Sequence, residues 1–182
     1  CHKEREEKMK FFHVGDLHLG KQLHGYDLIK DQEHMLEELL SYIKKEQPDA
    51  VLIAGDIYDR AVPSGTAMQL LEHFFIRADE LAKNQKAVEI ILIAGNHDAA
   101  KRLQYGSSFM KRHHIHIAVM PPQQEDANLE QVTLTDQEGV VHFYLLPYTK
   151  PGMIRHWVEQ EELANTQDAV KFLLEREQID WN

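Results

Sequence analysis

Three short apolar runs in this chain each stop at a glycine, and each glycine is followed by residues able to bind a cation or move a proton. Lys10-Phe11-Phe12-His13-Val14 runs into Gly15-Asp16-Leu17-His18. Val51-Leu52-Ile53-Ala54 runs into Gly55-Asp56-Ile57-Tyr58-Asp59-Arg60, and Ile90-Ile91-Leu92-Ile93-Ala94 into Gly95-Asn96-His97-Asp98. A continuous apolar run of this length is how a strand buried on both faces reads, and such strands belong to parallel sheets covered by helices. Open α/β sheets carry their sites at the carboxyl ends of the strands. The pattern therefore predicts one parallel sheet with Asp, His, Asp, Asn and His gathered along one edge.

The segments between these runs fit that architecture. Tyr26 to Gln47 has apolar residues at helical spacing (Ile29, Leu36, Leu39, Leu40, Ile43) and is closed by Pro48-Asp49. A second helix is expected from Gly65 to Asn84, with Ser64 as its N-cap. It is apolar over much of its circumference: Met68, Phe75 and Ile76 fall off the main stripe, either to meet a second copy or a partner or to enlarge the local core. Lys101 to Arg112 reads as a short helical segment. Leu129 to Thr135 and Val140 to Leu146 read as an antiparallel pair of a second sheet, and two amphipathic helices follow around Met153 to Glu159 and Thr166 to Glu177. His114 and His116 share one face of a strand, and His142 starts another; all three are assigned structural roles.

Composition limits the alternatives. The formal net charge of −10 means that bulk charge does not hold a nucleic acid, so local cations or metal ions must. Cys1 is the only cysteine, which rules out an intrachain disulfide and fits a reducing, cytoplasmic setting. No apolar run approaches the roughly 20 residues of a membrane-spanning helix. Residues 1–8 are read as a leader or expression remnant ahead of Met9, and residues 9–182 as one domain.

Spacing suggests roles within the three loops. Asp16 and His18, two apart, point the same way in extended backbone and can grip one divalent ion. Asp56, at a strand end, has two oxygens with which to bridge two cations. Asp59, one turn on, can hydrogen-bond a catalytic imidazole and set its tautomer. Arg60 can meet a phosphate oxygen as a planar fork. Asn96 offers a neutral oxygen ligand. His97, facing away from Asn96, suits a proton donor or transition-state stabiliser. Asp98 can buttress its loop through backbone N–H groups.

Taken together, the three motifs resemble the signature of the calcineurin-like metallophosphoesterases. Within that family, Asp16-Leu17-His18-Leu19-Gly20-Lys21 with Leu23-His24-Gly25, the run from Ala54 to Pro63, and Ala94 to Tyr105 look like the bacterial SbcD group of Mre-type nuclease subunits. The resemblance covers residues 9 to about 150. It implies a four-layer α/β/β/α sandwich, two manganese ions (with magnesium, iron or zinc as other options), and hydrolysis of DNA phosphodiesters in repair and recombination. It also implies double-strand exonuclease and single-strand endonuclease activity, a homodimer, and an SbcC-like SMC-type ATPase partner. On the family's pattern Asp16 and His18 hold one metal, Asp56 bridges, Asn96 holds the other, and His97 protonates the leaving oxygen, oriented by Asp59.

The family's later ligands are a lone histidine and a Gly-His-x-His motif, and no Gly-His dipeptide occurs here. His156 is a poor substitute. The chain is therefore expected to be the N-terminal part of a longer nuclease subunit, its sandwich C-terminally incomplete and its metal cage partial. Two other functions use the same residues: a phosphoesterase acting on a phosphoprotein, nucleotide or small phosphate ester, or a dimerising scaffold for an ATPase with little activity in this fragment.

Overall fold

The computed structural model describes residues 8–84, 87–158, 163–177 and 179. Four strands form the main sheet: β1 (Phe11–Val14), β4 (Ala50–Ala54), β5 (Glu89–Ile93) and β6 (Ile115–Ala118), all parallel and in the order β1-β4-β5-β6. Two small strands, β2 (Gln22–Leu23) and β3 (Tyr26–Asp27), make a hairpin in the first crossover. Helix α1 therefore starts at Ile29, later than Tyr26, and runs to Glu46. Its first free N–H, that of Ile29, is met by the Asp27 carboxylate at 2.9 Å, and Gln47 in the left-handed region ends it.

Helix α2 (Gly65–Asn84) lies beside α1 on the same face of the sheet. Ser64 Oγ accepts from the Ala67 N–H at 3.2 Å, the expected cap. Alternation along the strands sorts the core. Val51, Ile53, Ile90 and Leu92 face the helices, packing with Leu36, Leu40 and Phe74. Ala50, Leu52, Ile91 and Ile93 face the other way. There they meet the antiparallel pair β7 (Glu130–Thr135) and β8 (Val140–Leu145) through Val132, Leu134, Phe143 and Leu145. Burial on both faces is why β4 and β5 read as unbroken apolar runs; β1, at the sheet edge, alternates instead between exposed and half-buried residues. Phe75 joins the core, whereas Met68 and Ile76 stay exposed on α2.

The described residues thus show a mixed α/β sandwich whose layers run helices, parallel sheet, hairpin. Gln131, Thr133 and His142 on the hairpin's outer face are exposed. Helix α5 (Thr166–Arg176) packs instead in a small core of its own with Ile154, Val158 and Leu163, which Leu146 joins from the end of β8. The segment after β5 is broken at Gly106, whose positive φ of 77° separates α3 (Ala100–Leu103) from α4 (Ser107–Met110). Pro151–Met153 forms a single 3₁₀ turn rather than the expected amphipathic helix; Glu159, its expected end, lies outside the described residues. No helix among the described residues is long and apolar enough to cross a membrane.

At the opposite end of the sheet from the three glycine loops, Glu89 is clasped by two imidazoles. His114 Nδ1 lies 2.8 Å from one carboxylate oxygen and His116 Nε2 2.7 Å from the other. Burial pushes the Glu89 carboxyl up, but the hydrogen bonds from His116 and His114 outweigh it and leave the group below its ordinary value of 4.5. A carboxyl lowered by folding stabilises the native state above its unfolded pKa, and that contribution is lost as pH falls through the folded value. Glu89→Gln is therefore expected to melt below wild type near neutral pH. The gap should close in acid below about pH 4.5; a gap that widens there would contradict the cluster's role.

Candidate metal centre

Close backbone approach brings the three loops together, and the glycines permit it. A Cβ on Gly15 would stand 3.2 Å from the Ala54 carbonyl oxygen, and one on Gly55 3.1 Å from Gly95 Cα. A Cβ on Gly95 would overlap the Asp56 carboxylate and backbone nitrogen. Gly95→Ala should therefore displace Asp56. Overpacking costs roughly 1–3 kcal/mol, equivalent to about 2–12 °C in Tm for a domain of this size. The expected outcome is a lower melting temperature together with weaker divalent-metal binding, read by calorimetry and titration. Wild-type metal affinity in a well-folded Gly95→Ala protein would show that the contact does not place Asp56.

The loop after β1 is not extended, as the two-residue spacing of Asp16 and His18 had suggested. Both residues have positive φ, 54° and 43°, and so does Asp56, at 48°. Only six non-glycine residues among those described have positive φ, and three of them are these candidate ligands. Asp and His tolerate that region better than most residues, at about 1–3 kcal/mol each, and such strain collects at functional sites. Tertiary hydrogen bonds hold the loop there. The Asp16 N–H donates to Gly55 O at 3.2 Å, His18 to Asp56 O and Leu19 to Ile57 O, both at 2.9 Å. Gln32, one turn into α1, accepts from Gly20 N–H at 2.9 Å and donates to the Leu17 and His18 carbonyls at 3.1 and 2.7 Å.

The side chains converge as a result. His18 Nε2 lies 3.7 Å from Asp16 Oδ1 and 3.8 Å from Asp56 Oδ2. Each of the three offers a ligand atom, and these atoms lie within 4.8 Å of one another. Asp16, Asp56 and Asn96 line one cavity, so the three loops do meet. Two carboxylates and an imidazole form a mixed oxygen and nitrogen donor set of negative charge that fits a divalent ion. Asp56 is also fixed from behind, its Oδ1 accepting the His97 N–H at 3.0 Å.

Asp98 ties the second and third loops together. Its carboxylate accepts from the N–H groups of Gly95, Ile57 and Tyr58 at 2.8, 3.1 and 3.0 Å. Burial, with Asp98 and Glu72 nearby, pushes the neighbouring Tyr58 hydroxyl up to about 12. It stays protonated at neutral pH and cannot serve as a base.

His97 is exposed and stands edge-to-face against His18, ring centroids 5.0 Å apart. Its Nδ1 meets Asp59 through the main-chain carbonyl, at 2.9 Å. The Asp59 carboxylate turns elsewhere, to His18 Nδ1 at 3.6 Å, Arg60 Nε at 3.7 Å and Lys21 Nζ at 4.0 Å. At 3.6 Å the Asp59 carboxylate is beyond hydrogen-bond length, and the buried His18 Nδ1 has no hydrogen-bond partner among the described residues, so Asp59 acts on His18 through its charge. Carboxylates paired with ligand imidazoles are worth about 10–100-fold in metal affinity. Asp59→Asn is thus expected to weaken metal binding by that order while leaving the His97 ring in place. A loss confined to turnover, with metal affinity intact, would instead place the carboxylate's action on His97.

Some surroundings of the cavity had no signal in the sequence. Its far wall is the Leu146 to Thr149 segment with Thr166 and Val170 of α5. The Tyr148 N–H donates to Ala94 O at 2.9 Å, which docks that segment at the end of β5. Gln32 had only the pattern of a polar position near a helix start. His156 lies outside this centre, its Nε2 hydrogen-bonded to the Gln123 carbonyl at 2.8 Å.

Comparison with known proteins identifies the family. The calcineurin-like phosphoesterase family profile matches residues 9–181. The chain is 33% identical over 168 residues to the D subunit of nuclease SbcCD from Staphylococcus epidermidis, covering 92% of this chain and 42% of that protein. It is 34% identical over 166 residues to the corresponding protein of Staphylococcus saprophyticus, covering 91% of this chain and 41% of that protein. The chain therefore spans about two fifths of the length of the curated relatives it matches.

Proposed function

This chain belongs to the calcineurin-like phosphoesterase family, and on that premise we propose that it is part of a metal-dependent nuclease subunit that hydrolyses DNA phosphodiesters. The observation that carries this is the convergence of Asp16, His18 and Asp56 from two loops, donor atoms within 4.8 Å of one another, with Asp16 and Asp56 lining one cavity together with Asn96. Asp16 and His18 would hold one divalent ion, Asn96 a second, and Asp56 would serve both. Manganese suits this mixed oxygen and nitrogen set. When bound, the ions supply a nucleophile at neutral pH by acidifying water, and they neutralise charge on the phosphate.

The chain's own residues do the rest. His97, its Nδ1 held by the Asp59 carbonyl, presents the far side of its ring as the proton donor for the leaving oxygen. Asp98 keeps the loops of Asp56 and His97 at a constant separation. Arg60, largely exposed beside Asp59, meets a DNA phosphate. The remaining ligands come from the part of the relatives' length that this chain does not span. In the cell the subunit works as a homodimer with an SbcC-like SMC-type ATPase in DNA repair and recombination. The exposed Met68 and Ile76, eight residues apart along α2, support a contact between copies.

The test uses the full-length protein and manganese, with linear duplex DNA, circular single-stranded DNA and p-nitrophenyl phosphate as substrates. Cleavage of both DNAs is expected. Turnover of p-nitrophenyl phosphate with both DNAs left intact would overturn the nuclease assignment in favour of a small-ester phosphatase. The 182-residue chain alone is expected to cut DNA poorly, and vigorous manganese-dependent cleavage by it would refute a partial ligand set.

A further inference from the structure

A second cavity adjoins the metal centre, and its chemistry differs from that of a phosphate site. It lies between the loop after β1 and the loop after β4, with a volume of about 270 Å³. Leu19, Ile29, Val62 and Pro63 give it apolar walls, and Gln22 and Asp27 give it polar edges. Asp59 forms the side towards the centre: it lines this cavity, and its carboxylate also lies 3.6 Å from His18 Nδ1. Whatever occupies the cavity is therefore separated from His18 by one residue, Asp59.

The lining decides what can enter. Asp27 and Asp59 set two carboxylates against Arg60, the one cation among the described residues lining the cavity, so its interior is net negative and disfavours a phosphate, while the largely exposed Arg60 is left to meet one outside it. A neutral ring with an apolar face and N–H groups at its edge fits better. Aliphatic side chains can cover such a face, while a carboxylate and an amide oxygen accept from the edge. Every nucleobase has that form, whatever its sequence. We propose that this cavity is a nucleoside subsite, taking the base of a nucleotide flanking the scissile phosphate. This rests on the nuclease reading above and adds to it. A base can enter only when out of its stack, so the subsite favours a frayed or single-stranded nucleotide beside the cut.

The test compares three esters with the same leaving group in the full-length manganese enzyme: thymidine 5′-(p-nitrophenyl phosphate), thymidine 3′-(p-nitrophenyl phosphate) and methyl p-nitrophenyl phosphate. One thymidine ester is expected to exceed the methyl ester in kcat/KM by about tenfold, the low end of what an apolar pocket contributes. Thr66, exposed in the cavity wall, can be replaced by tryptophan to fill the space. Thr66→Trp should remove the thymidine preference and leave turnover of the methyl ester unchanged. Gln22→Ala, at another exposed position, should reduce the preference without abolishing it. No preference in the wild type, or one that survives Thr66→Trp, overturns the subsite. If DNA is cut all the same, only the subsite falls. If the methyl ester is hydrolysed and DNA is not, the nuclease reading falls and takes the subsite with it.

Discussion

Asp56→Asn is expected to empty both metal positions and to reduce phosphodiester hydrolysis in the full-length protein by about a thousandfold or more. Changes to residues that only orient ligands cost about 10–100-fold, and Asp56 does more than orient. One oxygen faces His18 Nε2 at 3.8 Å, and the other accepts the His97 N–H at 3.0 Å. Its left-handed backbone and its close packing against Gly95 help to hold it there. Asparagine matches its size and can still accept from His97 through its oxygen, so the fold should survive. It loses the negative charge and one of two anionic oxygens, which a neutral amide cannot replace at a shared cation. Metal content per chain and melting temperature, measured together, separate the two effects. Two ions bound per chain in a folded Asp56→Asn protein would discredit the bridging role.

His97→Ala is expected to lower kcat by about 10²–10⁴-fold, the range for losing a positioned proton donor, with metal content and DNA affinity close to wild type. The exposed ring carries no core packing. What holds it is the Asp59 carbonyl at 2.9 Å, a main-chain acceptor that no side-chain change removes. The backbone N–H of residue 97, which fixes Asp56, is retained in alanine. Loss of catalysis without loss of metal would thus isolate the imidazole's chemistry. A parallel loss of bound manganese would make His97 a ligand.

Much of the architecture was legible because buried parallel strands leave a strong trace. Val51 to Ile53 and Ile90 to Ile93 are covered on both faces, by α1 and α2 and by the β7–β8 hairpin, so both parities of the strand are apolar. The edges of elements were less legible. Tyr26 and Asp27 look helical in their neighbourhood, yet they pair with Leu23 and Gln22 because the crossover folds back on itself before α1 begins. Gly106 interrupts a stretch that periodicity alone reads as one segment.

Chemical identity at the centre was written in the chain. Glycine followed by Asp, Asp and Asn at three strand ends, with His18 and His97 close behind, specifies which donors can meet and in which layer of the fold. It does so because strand ends in a parallel sheet lie side by side whatever the loops do. Which atom faces which was decided only by the tertiary structure. Asp16 and His18 meet through left-handed backbone that hydrogen bonds to Gly55 and Asp56 impose, not through the extended geometry that their spacing implies. Asp59 reaches His97 by its carbonyl and His18 by its carboxylate, a division that depends on loop curvature and packing, which residue type and spacing do not encode. Gln32 and the wall formed by Tyr148, Thr149 and α5 join the site because distant segments fold against it, and their local sequences carry no sign of that.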